Sequence, residues 1–151
     1  MSTDTKVTKH VMQTLADGRE GYTKGAEKLT ETSAPTLATT FHKYSAQRAT
    51  FYGELDSMAG AYGDDVEESG SVAAAVHRGW MTVKDAVSGS DPEGVLEVAE
   101  QGEDHALKVY GDALDEDISA VLRTVLERQH RAVQAAHDEI RDLRDTFAKK
   151  G

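Results

Sequence analysis

Residues Leu37 to Tyr62 read LATTFHKYSAQRATFYGELDSMAGAY. Within them Leu37, Phe41, Tyr44, Arg48, Phe51, Leu55, Met58 and Tyr62 recur at alternating steps of four and three residues. That spacing returns each side chain to one face of a helix, the seam along which helices pack. Arg48 is out of character, because it stands mid-track where an apolar residue belongs. Glu103 and Gln129 hold the same position in two further tracks, among Leu96, Ala99, Ala106, Leu107, Tyr110 and Leu114 and among Leu122, Leu126, Val133, Ala136, Ile140, Leu143 and Phe147. A charge inside a helix bundle is costly unless it is paired, so each of the three needs a reason.

Five helical segments follow from patterns of this kind. The first runs from Thr5 to Leu29, with Val7, Val11, Leu15, Tyr22, Ala26 and Leu29 inward and Gly18 in the remaining slot. The second runs from Pro35 to Tyr62, with Ser33 as its expected cap. Gly63 to Gly70 reads as an acidic turn. A shorter third helix spans Ser71 to Val87, with Val72, Val76, Trp80, Val83 and Val87 on one face. Ser88-Gly89-Ser90 breaks it, and Ser90 with Glu93 can form a capping box around Pro92. The fourth helix ends at Leu114, and the fifth runs from Ile118 to Ala148 after the acidic turn Asp115-Glu116-Asp117. No strand pattern, repeat or low-complexity tract is present. The fold class is therefore all-α, one domain over residues 1–151. The four long helices form a bundle, and the short helix is a crossover between the second and third of them; a plain up-and-down bundle with an extra helix is the alternative.

Bulk properties remove several classes of function. The 151 residues suffice for one domain with a real core. The absence of cysteine excludes disulfides, thiolate metal sites and a cysteine nucleophile. A net charge of -10 argues against nucleic acid and anionic membranes as partners. No apolar run approaches the roughly 20 residues of a membrane span, and Met1 to His10 lacks a signal-peptide core. The expectation is an acidic cytoplasmic protein, alone, as a homodimer or with an unidentified protein partner.

Several local sequences then combine. They are Asp17-Gly-x-x-Gly-Tyr22, Gln47-Arg-x-x-Phe-x-x-Glu-Leu55, Gly70-Ser-Val-Ala-x-x-x-His-Arg-Gly-Trp80, Gly102-Glu-Asp104 with Tyr110, and His137-Asp-x-Ile-Arg-x-Leu-Arg144. In this order they resemble an uncharacterised bacterial family of ferritin-like four-helix-bundle proteins, a domain of unknown function. The resemblance covers nearly the whole chain. It implies the fold and no established reaction.

Metal-bearing bundles of this type place a Glu on each of two helices and Glu-x-x-His on each of the other two. Glu127-Arg-Gln-His130 is one match, and Glu100-Gln-Gly-Glu103 is a weaker one with a carboxylate in place of the imidazole. The first hairpin supplies no equivalent half. Glu20 groups with Gln13, Asp17, Lys24 and Glu27 on what reads as a solvated face, and the second helix has Arg48 inward with Glu54 beside the seam. Arginine stays protonated and cannot ligate a metal. The simpler expectation is an Arg48–Glu103 ion pair across the bundle, with Gln129 satisfying what remains. A metal site, holding iron or another divalent ion through Glu54, Glu100, Glu103, Glu127, His130 and His137, is the alternative.

The other candidates have bland readings. His130 and His137 share one flank of the last helix and read as boundary histidines. His105 points away from its track, and His10 and His42 show no partner pattern. Tyr22, Tyr44 and Tyr110 read as packing residues that each donate one hydrogen bond. Gly18, Gly21 and Gly25 imply close helix approach, to Trp80 or Arg48. His77 and Trp80 could contact a small ligand between crossover and bundle. The sequence thus favours a non-catalytic bundle with a structural role and no cofactor, and the resemblance to bacterial bundles implies a stress association. A metal-dependent oxidoreductase or iron-handling protein is the runner-up.

Overall fold

The computed structural model describes residues 2–61 and 92–150. Four helices make it up: α1 (Thr3–Leu29), α2 (Leu37–Ala61), α3 (Pro92–Leu114) and α4 (Ala120–Lys150). Among the described residues there is no strand. The expected short helix, with His77 and Trp80, lies outside the described residues.

Local chemistry sets the helix ends. Ser2 caps α1 by accepting a hydrogen bond from the Thr5 amide at 3.1 Å. Ahead of α2, the amides of Leu37, Ala38 and Thr39 bond the carbonyls of Ala34, Pro35 and Thr36. The helix proper therefore begins two residues after the expected Pro35. Pro92 opens α3, where its missing N–H leaves no carbonyl unpaired. α4 begins at Ala120 rather than Ile118, because Ser119 takes the capping position: its hydroxyl accepts from the Leu122 amide at 3.3 Å. The Ser119 amide in turn donates to Asp4 Oδ1 on α1 at 2.9 Å. Arg123 closes the turn by donating to the carbonyls of Leu114 and Glu116.

These contacts also establish direction. Asp4 and Ser119 place the starts of α1 and α4 at one end of the bundle. Gly25, near the end of α1, sits against Phe41 at the start of α2 and Val95 at the start of α3. Hence α2 and α3 run in the same direction, and α2 ends at the opposite end of the bundle from where α3 begins. α1 packs along both α2 and α3, and α3 packs along α4. α2 and α4 meet through long polar side chains, Lys43 and Tyr44 on Glu139 and Glu54 on Arg128 and Gln129.

The core is in two parts. One half, at the end where α1 and α4 begin, gathers Val11, Met12, Leu15, Phe51, Leu55, Tyr110, Leu122, Leu126 and Val133. The other gathers Tyr22, Ala26, Leu29, Phe41, Tyr44, Leu96, Ala99, Ala136 and Ile140. Every inward position expected on α1 is buried. On α3 the buried arc is wider than one track: Val95, Val98, Val109 and Ala113 are buried, while Leu107 and Leu114 are only partly so. The same holds on α1, where Asp17 is buried rather than solvated. Each of these helices packs on two neighbours, so a single seam underestimates its covered face.

Candidate functional site

Between the two apolar halves lies a polar layer. Arg48, Glu103 and Gln129 are all essentially without solvent contact. Arg48 Nη1 donates to Glu103 Oε1 at 2.6 Å and Nη2 to Glu103 Oε2 at 2.7 Å. This two-pronged geometry matches the planar guanidinium fork to the carboxylate. The pair joins α2 to α3 through the bundle interior. Burial alone would pull the guanidinium proton off more easily, yet the Glu103 charge and its hydrogen bonds outweigh that, and Arg48 is held above its ordinary range.

The remaining groups around Arg48 are set by its neighbours. Its Nε donates to Gln47 Oε1 at 3.1 Å. Its guanidinium carbon stands 5.4 Å from the centroid of the Tyr22 ring, within cation–π range. Gly18 makes room for it: a Cβ there would lie 3.3 Å from Arg48 Nη1. Tyr22 packs edge-on against Phe41 with centroids 5.1 Å apart, which seals the layer on one side. Its hydroxyl is pushed well up, first by burial and then by the Glu103 charge.

Gln129 does not complete the Arg48–Glu103 pair as expected. Its Oε1 accepts from the Tyr110 hydroxyl at 2.8 Å, and its Nε2 donates to Glu54 Oε1 at 3.0 Å and the Phe51 carbonyl at 3.3 Å. The amide is used up by a second network, which reaches the surface at Arg128, whose Nη2 donates to Glu54 Oε2 at 2.6 Å. Burial tends to raise the Glu54 carboxyl, but the bonds from Arg128 and Gln129 prevail and hold it below the usual glutamate value. Burial pushes the Tyr110 hydroxyl up. Tyr44 is likewise raised, by burial and then by its hydrogen bond to Glu139, and that bond lowers Glu139.

The six residues of the metal alternative are dispersed among these networks. Glu103 spends both oxygens on Arg48, and Glu54 spends both on Arg128 and Gln129. Glu100 accepts from Arg144. Glu127 is exposed. The His130 ring stacks on Tyr110 with centroids 6.0 Å apart and planes 8° from parallel. His137 faces Asp104 on α3, with Nε2 at 2.8 Å from Oδ1. Among the described residues no group of three or more His, Asp or Glu is placed to hold a metal ion. Among the described residues, Glu54, Glu100 and Glu103 are each engaged by an arginine rather than gathered around a common point. His10, His42 and His105 are exposed.

Sequence reasoning missed the cationic partners Arg128 and Arg144, and it missed Asp104, Asp138 and Glu139. Asp104 carried a signal, since it lies four residues after Glu100 on one helix face. Asp138 carried one too, between Gln134 and Arg141 on its own helix. Arg128, Arg144 and Glu139 carried none, because Glu54, Glu100 and Tyr44, which they meet, are on other helices. Among the described residues no helix is long and apolar enough to cross a membrane.

No curated protein matches the chain. The match to a family covers α1, α2, α3 and the segment between α2 and α3, and includes both partners of the buried ion pair. Over residues 5–116 the chain belongs to the family described as Domain of unknown function (DUF2383).

Proposed function

We propose that this chain is a non-catalytic, ferritin-like bundle in which the Arg48–Glu103 ion pair stands where metal-bearing bundles of that type hold a di-metal centre. The observation that carries the reading is the guanidinium fork engaging both oxygens of the mid-bundle carboxylate. A fixed positive charge there opposes divalent cations and removes the carboxylate that a metal would need. The parallel run of α2 and α3, with α2 ending at the opposite end of the bundle from where α3 begins, supports the ferritin-like topology. The pair acts as an internal lock. It selects one register of α2 against α3, because any axial slip strands two buried charges. The cellular role is structural, through association with itself or with another protein; a link to stress rests only on the likeness to bacterial bundles.

The test is to purify the untagged protein, expose it anaerobically to Fe(II), then measure bound metal and oxygen consumption. The expected result is no stoichiometric iron and no oxidation. Stoichiometric iron with oxidation abolished in Glu103→Ala overturns the reading in favour of an iron-handling protein or oxidoreductase.

A further inference from the structure

A half-open cavity of about 430 Å³ lies away from the mid-bundle pair, at the end of the bundle where α1 begins and α3 ends. Lys6, Val7 and His10 line it from α1, and Asp112, Ala113 and Glu116 from the end of α3 and the turn after it. Lys6 and His10 are four residues apart on a helix, so they stand one above the other on their side of the cleft. Asp112 and Glu116 do the same opposite them, because the Asp115 and Glu116 amides still bond the carbonyls of Gly111 and Ala113 in a helical turn. Val7 and Ala113 are buried and make an apolar floor. The volume falls within the about 300–1,000 Å³ usual for small-molecule sites.

The charges select the kind of molecule. Lys108 answers Asp112 at 3.0 Å from one turn back on α3. Among the described residues, Lys6, His10 and Glu116 form no ion pair. The cleft therefore keeps one unanswered charge of each sign, the Lys6 ammonium on one side and the Glu116 carboxylate on the other. A plain anion would meet Glu116, and a plain cation would meet Lys6. A metal ion would lack ligands, since among the described residues no group of three or more His, Asp or Glu is placed to hold one. A small molecule with both charges and an apolar body satisfies both sides and the floor together.

We propose that this cleft binds a free amino acid with an apolar side chain. Its carboxylate faces Lys6 and His10, its ammonium faces Glu116 and Asp112, and its side chain lies on Val7 and Ala113. Lys6 and Glu116 are exposed, so the affinity is modest, on the order of 1 mM.

The test titrates the 15N-labelled full chain, followed by NMR, with three matched probes. They are L-leucine, 4-methylpentanoate, which is leucine without its amine, and 3-methylbutylamine, which is leucine without its carboxylate. The expected result is saturable shifts of the amides around Lys6 to His10 and Asp112 to Glu116 with leucine, and binding of either half about fivefold weaker or less. Lys6→Met and Glu116→Gln should each weaken leucine by about fivefold, the worth of one partly exposed ion pair. Both positions are exposed, so the variants keep the parent spectrum elsewhere. Shifts that are absent or still linear at about 20 mM leucine overturn the proposal. So does an amine that binds as tightly as leucine, which would make the cleft a cation site, or a carboxylate that does, which would make it an anion site. Variants that bind leucine like the parent overturn it as well.

Discussion

Arg48 and Glu103 show what one pair of side chains can demand of a whole bundle. Taking two charges out of water is costly, and their attraction repays that cost only when the geometry is good. Here both carboxylate oxygens and three guanidinium N–H groups are engaged. Arg48→Ala and Glu103→Ala are each expected to cost about 3–5 kcal/mol, since each strands the other charge in the interior. In a double-mutant cycle the two losses should be far from additive; simple addition would mean that the pair is not the interacting unit. Replacing both at once by Met and Leu should be neutral or stabilising by about 1–4 kcal/mol, with the cost appearing instead as looser helix register. Gly18→Ala tests the space around the guanidinium. Alanine favours the helix by about 1 kcal/mol, but its Cβ would crowd Arg48 Nη1 at 3.3 Å. Because Arg48 is pinned by Glu103, it cannot retreat without weakening a charged hydrogen bond, so a net loss of about 1 kcal/mol is expected by urea denaturation.

At the scale of the helices, glycine has two opposite uses. Gly25 lets α1 approach α2, and a Cβ there would lie 2.7 Å from two ring carbons of Phe41. Gly25→Ala should therefore destabilise by about 1–3 kcal/mol, as overpacking does. Beside it, Ser45 bonds Thr23 at 2.8 Å and the Arg19 carbonyl at 3.0 Å, short polar contacts that need the same closeness. Gly53 and Gly111 are also within helices, yet nothing lies within 4 Å of a Cβ at either position. Gly53→Ala and Gly111→Ala should each raise stability by about 0.5–1 kcal/mol through backbone entropy alone. Thermal midpoints of the three variants give the check, and a stabilised Gly25→Ala would mean that α1 and α2 are not in close contact. The sequence marked Gly18, Gly21 and Gly25 as a close-approach set, but the contrast with Gly53 was not visible in it. Spacing tells which way a position points, not what stands opposite.

For the molecule as a whole, the bundle is closed differently along its sides. α1 sits close to α2 and α3, whereas α2 and α4 are bridged by Glu54 and Glu139. Both carboxyls are held below the ordinary glutamate value of 4.5. A lowered folded-state value means that the contribution is present above the ordinary value and is lost as pH falls through the folded one. Stability to urea should therefore drop as pH is taken from 6 to below 4. Glu54→Gln and Glu139→Gln should each flatten that acid limb by a small amount, since both groups are partly exposed. A parent acid limb unchanged in the double variant would show that these bridges do not hold the side closed.

The periodicity of apolar residues was enough to establish an all-α chain, the long helices and most of their buried positions, because a helix of 3.6 residues per turn fixes which side chains share a face. It also exposed Arg48, Glu103 and Gln129 as interior positions, since a polar residue in an apolar track is visible without a partner. Pairing it could only propose, as it did for Arg48 with Glu103. A one-dimensional pattern carries the angle of a side chain about its own helix, but not the axial offset or rotation of the neighbour. Only the packed helices decided that Arg48 meets Glu103 directly, that Gln129 serves Tyr110, Glu54 and Phe51 instead, and that His137 turns to Asp104. The burial of Asp17 had the same origin: how much of a helix is covered depends on how many neighbours it has, and that number exists only in three dimensions.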